Sequence, residues 1–180
     1  LSQLNSADFP WSMGRLMPSP DYRWVAIETA GYEKAGPVYL LSLDTGKLAK
    51  LNPVSILGDG KRLTYDGLPT WEVIGWHPDS QHLMIGPSDA GGVYWINLAS
   101  NTFQVIPFAG DGGVGGRDFV DLSSDGSKFI YIGRNLTNGI QQLNLYDLSS
   151  GKTTNLLTLP FSKGSLHFPR FSPTSDSVAY

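Results

Sequence analysis

One short pattern recurs four times along the chain and constrains its fold more than any other feature. It reads Ser19-Pro20-Asp21-Tyr22 before Arg23-Trp24-Val25-Ala26-Ile27, then His77-Pro78-Asp79-Ser80 before Gln81-His82-Leu83-Met84-Ile85. It returns as Ser123-Ser124-Asp125-Gly126 before Ser127-Lys128-Phe129-Ile130-Tyr131, and as Ser172-Pro173-Thr174-Ser175 before Asp176-Ser177-Val178-Ala179-Tyr180. The second place falls at residues 20, 78, 124 and 173, which gives spacings of 58, 46 and 49. A chain that repeats itself at such a period folds as stacked copies of one small unit. The unequal spacing predicts loops of variable length on a regular scaffold.

Each copy carries the same order of elements. A short apolar segment (Trp71 to Trp76, Asp118 to Leu122, Leu166 to Phe171) leads into the Pro-Asp turn. Proline presets φ there and aspartate bonds its own backbone. A second apolar strand follows, then a Gly-containing loop, then a third strand: Val38 to Leu43, Val93 to Leu98 and Gln142 to Leu148. Asp44-Thr45-Gly46, Ala99-Ser100-Asn101 and Ser149-Ser150-Gly151 turn the chain back. Gly or Asn in the third place suits a turn that needs positive φ. Fourth strands run through Lys47 to Leu51, Thr102 to Ile106 and Lys152 to Leu157.

No window shows a helical period capped at both ends, so the chain reads as all-β. Four antiparallel strands per unit, repeated, point to a β-propeller rather than a sandwich, whose strands rarely repeat in sequence. The blades fall at about 11–53, 71–107, 117–158 and 166–180, with an N-terminal arm over 1–10. That makes three full blades and the first half of a fourth. The reading therefore expects an incomplete propeller, whose open edge is covered by the remaining blades of a parent chain or by self-association.

Composition closes several functional classes. Charged residues make up 16% of the chain, and a net charge of −3 offers no basic footprint for nucleic acid. No apolar run is long enough to span a membrane as a helix. There is no cysteine, which removes disulfides and thiolate chemistry. His77, His82 and His167 show no metal-type spacing, and no Gly-x-Ser-x-Gly elbow is present. Gly113-Val114-Gly115 opens like a dinucleotide fingerprint, but Arg117-Asp118 replaces the third glycine and no helix follows. Asp111 and Asp118 alone do not define a calcium site. The expectation is no catalytic residue, no metal and no cofactor.

The Pro-Asp turn (Pro20-Asp21, Pro78-Asp79), the apolar strand after it and Leu43-Asp44-Thr45-Gly46 resemble the WD-like propeller repeat. That family includes the periplasmic protein TolB and the propeller domains of prolyl oligopeptidases. The third copy departs from it with Ser124 for proline, and the fourth with Thr174 for aspartate. The resemblance implies a propeller in an extracellular, periplasmic or cell-surface setting.

Strand alternation assigns the loops to faces. Connections 2→3 and 4→1′ emerge on one face and are long; the 1→2 and 3→4 turns emerge on the other and are short. Function concentrates on variable loops held by a rigid scaffold. The candidate ligand-binding residues are accordingly Arg62, Trp71, Arg117, Asp118, Arg134 and Lys163 on the loop face. The expected role is non-enzymatic binding of a protein or peptide; the alternative is the substrate-gating propeller of a serine peptidase.

Overall fold

Strands of this chain are short because each need only cross one narrow blade. The computed structural model describes residues 12–30, 37–51, 54–56, 62–64, 71–87, 92–107 and 119–180. The first blade is a meander of β1 (Ser12–Pro18), β2 (Trp24–Ala30), β3 (Tyr39–Ser42) and β4 (Leu48–Lys50), all antiparallel. The third repeats it with β11 (Val120–Leu122), β12 (Lys128–Asn135), β13 (Ile140–Asp147) and β14 (Lys152–Pro160). A fourth sheet consists of β15 (Arg170–Phe171) paired with β16 (Val178–Ala179). Among the described residues there is no α-helix; a 3-10 turn spans Phe161–Lys163.

The second blade departs from expectation. Its own four strands are β7 (Trp71–Trp76), β8 (His82–Pro87), β9 (Gly92–Asn97) and β10 (Thr102–Pro107). Two more, β5 (Val54–Ile56) and β6 (Arg62–Thr64), form a hairpin, and β5 runs parallel to β10 on its outer edge. The stretch from Pro53 to Thr70 reads as an irregular loop in the sequence. The correction is that its described parts extend the blade to a six-stranded sheet in the order β6-β5-β10-β9-β8-β7.

The turns follow the sequence closely. The fourth place of every 1→2 turn is left-handed: Tyr22, Ser80, Gly126 and Ser175 have φ of 57°, 57°, 73° and 60°. The third place of each 3→4 hairpin is left-handed too, with φ of 65° at Gly46, 52° at Asn101 and 67° at Gly151.

Burial explains why the second strand of each blade is apolar without alternation. A blade inside a stack is covered on both faces, so both parities of side chain are buried. On β8, Leu83 and Ile85 join Ala26, Val38 and Leu40 of the first blade, while Met84 joins Val120, Phe129 and Tyr131 of the third. On β12, Phe129 and Tyr131 face back toward the second blade, and Ile130 and Ile132 face forward to Leu166 and Phe171. Apolar cores between blades thus hold the stack together, as nonpolar burial requires.

Polar clamps set the blade-to-blade register at the first and last seams. Between the first and second blades, Trp76 Nε1 donates to the Met17 carbonyl at 2.9 Å, and the Val73 N–H donates to buried Glu28 at 2.5 Å. Ser80 Oγ accepts the Asp21 N–H at 3.0 Å. Between the third and fourth, Asp121 Oδ2 accepts the Phe171 N–H at 2.8 Å, Gln141 Oε1 accepts the Leu166 N–H at 2.8 Å, and Ser175 Oγ accepts the Ser124 N–H at 2.8 Å. The middle seam is different: the His77 ring lies against Gly126, where an added Cβ would stand 2.1 Å from the imidazole.

Candidate functional site at the loop-face rim

The loop-face ends of β11 and β12, with the segment entering β15, place cationic and aromatic groups side by side. Arg134 is the seventh residue of β12, next to the 2→3 connection. Its guanidinium carbon sits 4.8 Å from the centre of the Phe119 ring. Arg134 Nε is buried and has no hydrogen-bond partner among the described residues. An arginine held over an aromatic face by cation–π attraction keeps its guanidinium in place, with donors that suit a carboxylate or a carbonyl.

The other side of the patch comes from the chain just before β15. His167 packs against Phe119 with ring centres 5.2 Å apart, and Phe168 follows at 6.0 Å from His167. Phe168 is 56% exposed and has φ of 52°. A bulky residue in the left-handed region is a costly exception, and such strain concentrates where a side chain must be presented. Pro169 after it is buried, and Arg170 donates from Nη1 to the Pro169 carbonyl at 2.8 Å, which anchors the segment behind the exposed ring.

Of the residues expected from the sequence, Arg134 lies in this patch and is half-buried. Lys163, on the 3-10 turn between β14 and β15, is exposed on the same face and makes no hydrogen bond or ion pair among the described residues. Arg62 and Trp71 open β6 and β7, but their side chains lie outside the described residues, as do Arg117 and Asp118 altogether. Phe119 and Phe168 escape sequence reasoning, because they look like ordinary strand aromatics. The available signal was His167-Phe168-Pro169 directly before an inner strand, where the chain must turn into the channel end of a blade.

A second polar cluster lies on the opposite, short-turn face. There the left-handed Ser80 folds the chain so that His77 and His82 both reach the carboxylate of Asp79. Burial of Asp79 pushes its carboxyl up, but hydrogen bonds from the Gln81 N–H, His82 and His77 outweigh this and hold it at about 2. The sequence spacing of the two histidines concealed this convergence.

No protein-family model and no curated protein matches the chain. Solved structures do. TolB from Acinetobacter baumannii aligns with a TM-score of 0.51 at 20% identity, covering 94% of this chain and 48% of TolB. The tricorn protease aligns at 0.64 and 16% identity, covering 94% of this chain and 15% of that one. Prolyl endopeptidases align at 0.51 and 14% identity, covering 81% of this chain and 22% of theirs. This chain thus spans about half the length of TolB and a smaller part of the peptidases. With its repeated four-stranded sheets, left-handed turns and two-sided blade cores, the chain is a β-propeller of the fold shared by TolB and the propeller domains of these peptidases.

Proposed function

We propose that this propeller is a non-enzymatic recognition module whose loop-face rim binds a protein or peptide, in a secreted, periplasmic or cell-surface protein. One observation carries the reading: the Arg134 guanidinium lies over Phe119 and makes no hydrogen bond or ion pair among the described residues, and Phe119 leads through His167 to the exposed, left-handed Phe168. Arginine and aromatic side chains are both enriched at protein interfaces. The ligand it fits carries a carboxylate flanked by an apolar side chain, the first for a charge-assisted bond and the second for the ring. Arg62, Trp71, Arg117, Asp118 and Lys163 complete the proposed rim. Likeness to TolB and the repeat resemblance support the setting.

The test is a selection of peptides with free C-termini against the immobilised protein, followed by affinity measurements on the winners. Arg134→Gln is expected to weaken binding about tenfold or more, and Lys163→Ala by less. Equal affinities for wild type and both variants would remove this siting.

A second reading has its own support in the likeness to prolyl endopeptidases and puromycin hydrolase, the latter at a TM-score of 0.50. In it the chain is the substrate-gating propeller of a serine peptidase. The parent reading frame decides: a Gly-x-Ser-x-Gly with Asp and His after it supports gating, and a frame without them ends that reading.

A further inference from the structure

In the first and third 1→2 turns, the serine in the first place donates its hydroxyl to the carboxylate two residues on. Ser19 Oγ donates to Asp21 at 2.6 Å, and Ser123 Oγ to Asp125 at 2.7 Å. The second turn has no hydroxyl in that place. It carries His77, and it faces a second imidazole from His82 at the start of β8. Asp79 Oδ2 lies 2.9 Å from His77 Nδ1 and 2.8 Å from His82 Nδ1. One ring nitrogen from each histidine and a carboxylate oxygen of Asp79 fall within 4.8 Å of one another.

The arrangement is fixed from behind and open in front. Asp79 Oδ1 accepts the N–H groups of Gln81 and His82 at 2.8 and 3.1 Å, which pins the carboxylate. His82 stacks on Trp95 with ring centres 5.4 Å apart and planes 13° apart, and His77 meets the same indole edge-on at 5.5 Å. The three side chains remain 22%, 37% and 25% exposed for His77, Asp79 and His82, which leaves a path from solvent.

The position of His77 is poorly served by protons alone. Its Nδ1 stands 2.9 Å from Asp79 Oδ2 and also 3.2 Å from the Asp79 N–H. With a proton on Nδ1 it serves the carboxylate but opposes the N–H. With a lone pair there it serves the N–H but opposes the carboxylate. A cation between Nδ1 and Oδ2 removes the clash between those two lone pairs, at the cost of the contact from the Asp79 N–H.

We propose that His77, Asp79 and His82 form a binding site for a divalent transition-metal ion of the zinc class, ligated by the two Nδ1 atoms and Asp79 Oδ2. Two imidazoles and one carboxylate suit zinc, nickel or copper, whereas magnesium and calcium favour shells of oxygen. Zinc bonds of roughly 2.0–2.2 Å place tetrahedral donors about 3.3 Å apart. The observed spread brackets that separation. Water fills the remaining position on the exposed side.

Asn97 supplies a test that a purely structural cluster would not pass. Ionised Asp79 only accepts, so His82 carries its proton on Nδ1 when it bonds Asp79 Oδ2, and its Nε2 accepts from Asn97 Nδ2 at 3.0 Å. Coordination through Nδ1 moves that proton to Nε2, which then faces an amide donor. Asn97 Oδ1 is already held by the Ser100 N–H at 3.0 Å, so the amide cannot turn without losing that bond. Asn97→Asp provides a carboxylate that accepts both N–H groups, as outer-shell acceptors of metal-binding histidines do.

Isothermal titration with zinc chloride is the experiment, on wild type, His82→Ala, Asp79→Asn and Asn97→Asp, each checked for folding by its thermal midpoint. One zinc per chain is expected for wild type, with binding weakened more than tenfold in His82→Ala and Asp79→Asn. Asn97→Asp is expected to tighten binding about tenfold. Nickel chloride is expected to quench Trp95 fluorescence in wild type and not in His82→Ala. Identical zinc isotherms in wild type, His82→Ala and Asp79→Asn would overturn the site. Should the first two variants fail to fold, an Asn97→Asp protein that binds zinc no more tightly than wild type overturns it alone.

Discussion

The turn face and the loop face are opposite ends of the same strands and both carry seam bonds, but the buried cation without a hydrogen-bond partner among the described residues lies at the loop face. On the turn face, side chains are engaged in joining blade to blade: Ser80 Oγ holds the Asp21 N–H, Ser175 Oγ holds the Ser124 N–H, and His77 lies on Gly126. On the loop face, Arg134 Nε and Lys163 are left without hydrogen bonds among the described residues. The difference shows where affinity is available. A group already bonded in the folded protein gains little from a peptide's hydrogen bond, while an unpaired cation gains a whole charge-assisted bond. Stability should therefore respond to the seam bonds of the turn face and peptide binding to the loop-face rim.

Gly126 is where the turn face breaks hardest. Gly126→Ala forces a Cβ into left-handed backbone and toward the His77 ring, 2.1 Å from its ideal position. Strain and overpacking together should destabilise the protein by about 3 kcal/mol, read as a lower urea midpoint. Adding His77→Ser removes the ring and should restore about half of that loss. No recovery in the double variant would mean that backbone strain and the overlap with Pro78 Cδ, 2.8 Å from the added Cβ, are responsible.

Ser80→Ala comes next. It leaves the Asp21 N–H unpaired in a part-buried seam and should cost about 1 kcal/mol. Ser175→Ala does the same at an exposed seam and should cost less.

Acid distinguishes carboxylates by their surroundings. Asp125 is held at about 2, chiefly by the Ser123 hydroxyl, and Asp147 at about 2, chiefly by the Ser149 hydroxyl. Each folded value lies below the unfolded one, so the stabilisation is complete above the ordinary value of 3.8 and is lost as pH falls toward 2. Asp121 runs the other way, because burial raises it against the hydrogen bond from Phe171 and the charge of Arg170. Its ionised form is disfavoured on folding, so its contribution improves as pH falls through its raised value. Carboxyl carbon NMR titrations should show Asp125 and Asp147 turning near 2 and Asp121 above 3.8. Asp121→Asn keeps an acceptor for the Phe171 N–H and should change stability by less than about 1 kcal/mol, in the stabilising direction.

Much of this comparison is legible in the sequence, and the failures are informative. The Pro-Asp turns, the strand order and the positive φ at Gly46, Asn101 and Gly151 follow from local chemistry, and local chemistry is visible along a chain. The β5–β6 hairpin is not, because its strands are three residues long and β5 meets β10 at a single register pair. Nothing local marks so brief a pairing. Arg134 was found from its place at a loop-face strand end, but its partner Phe119 comes from the segment entering β11 and is brought near only by folding. His77 and His82 lacked a recognisable metal spacing, because a left-handed residue at Ser80, not a helical or strand period, sets their convergence.

The most direct measurement pairs urea unfolding with peptide affinity on two variants, Ser80→Ala and Arg134→Gln, using a peptide selected on wild type. The account predicts a lowered midpoint with unchanged affinity for Ser80→Ala, and an unchanged midpoint with affinity reduced about tenfold for Arg134→Gln. A stable Arg134→Gln protein that binds as tightly as wild type, with affinity lost in Ser80→Ala instead, would contradict the division of labour between the two faces.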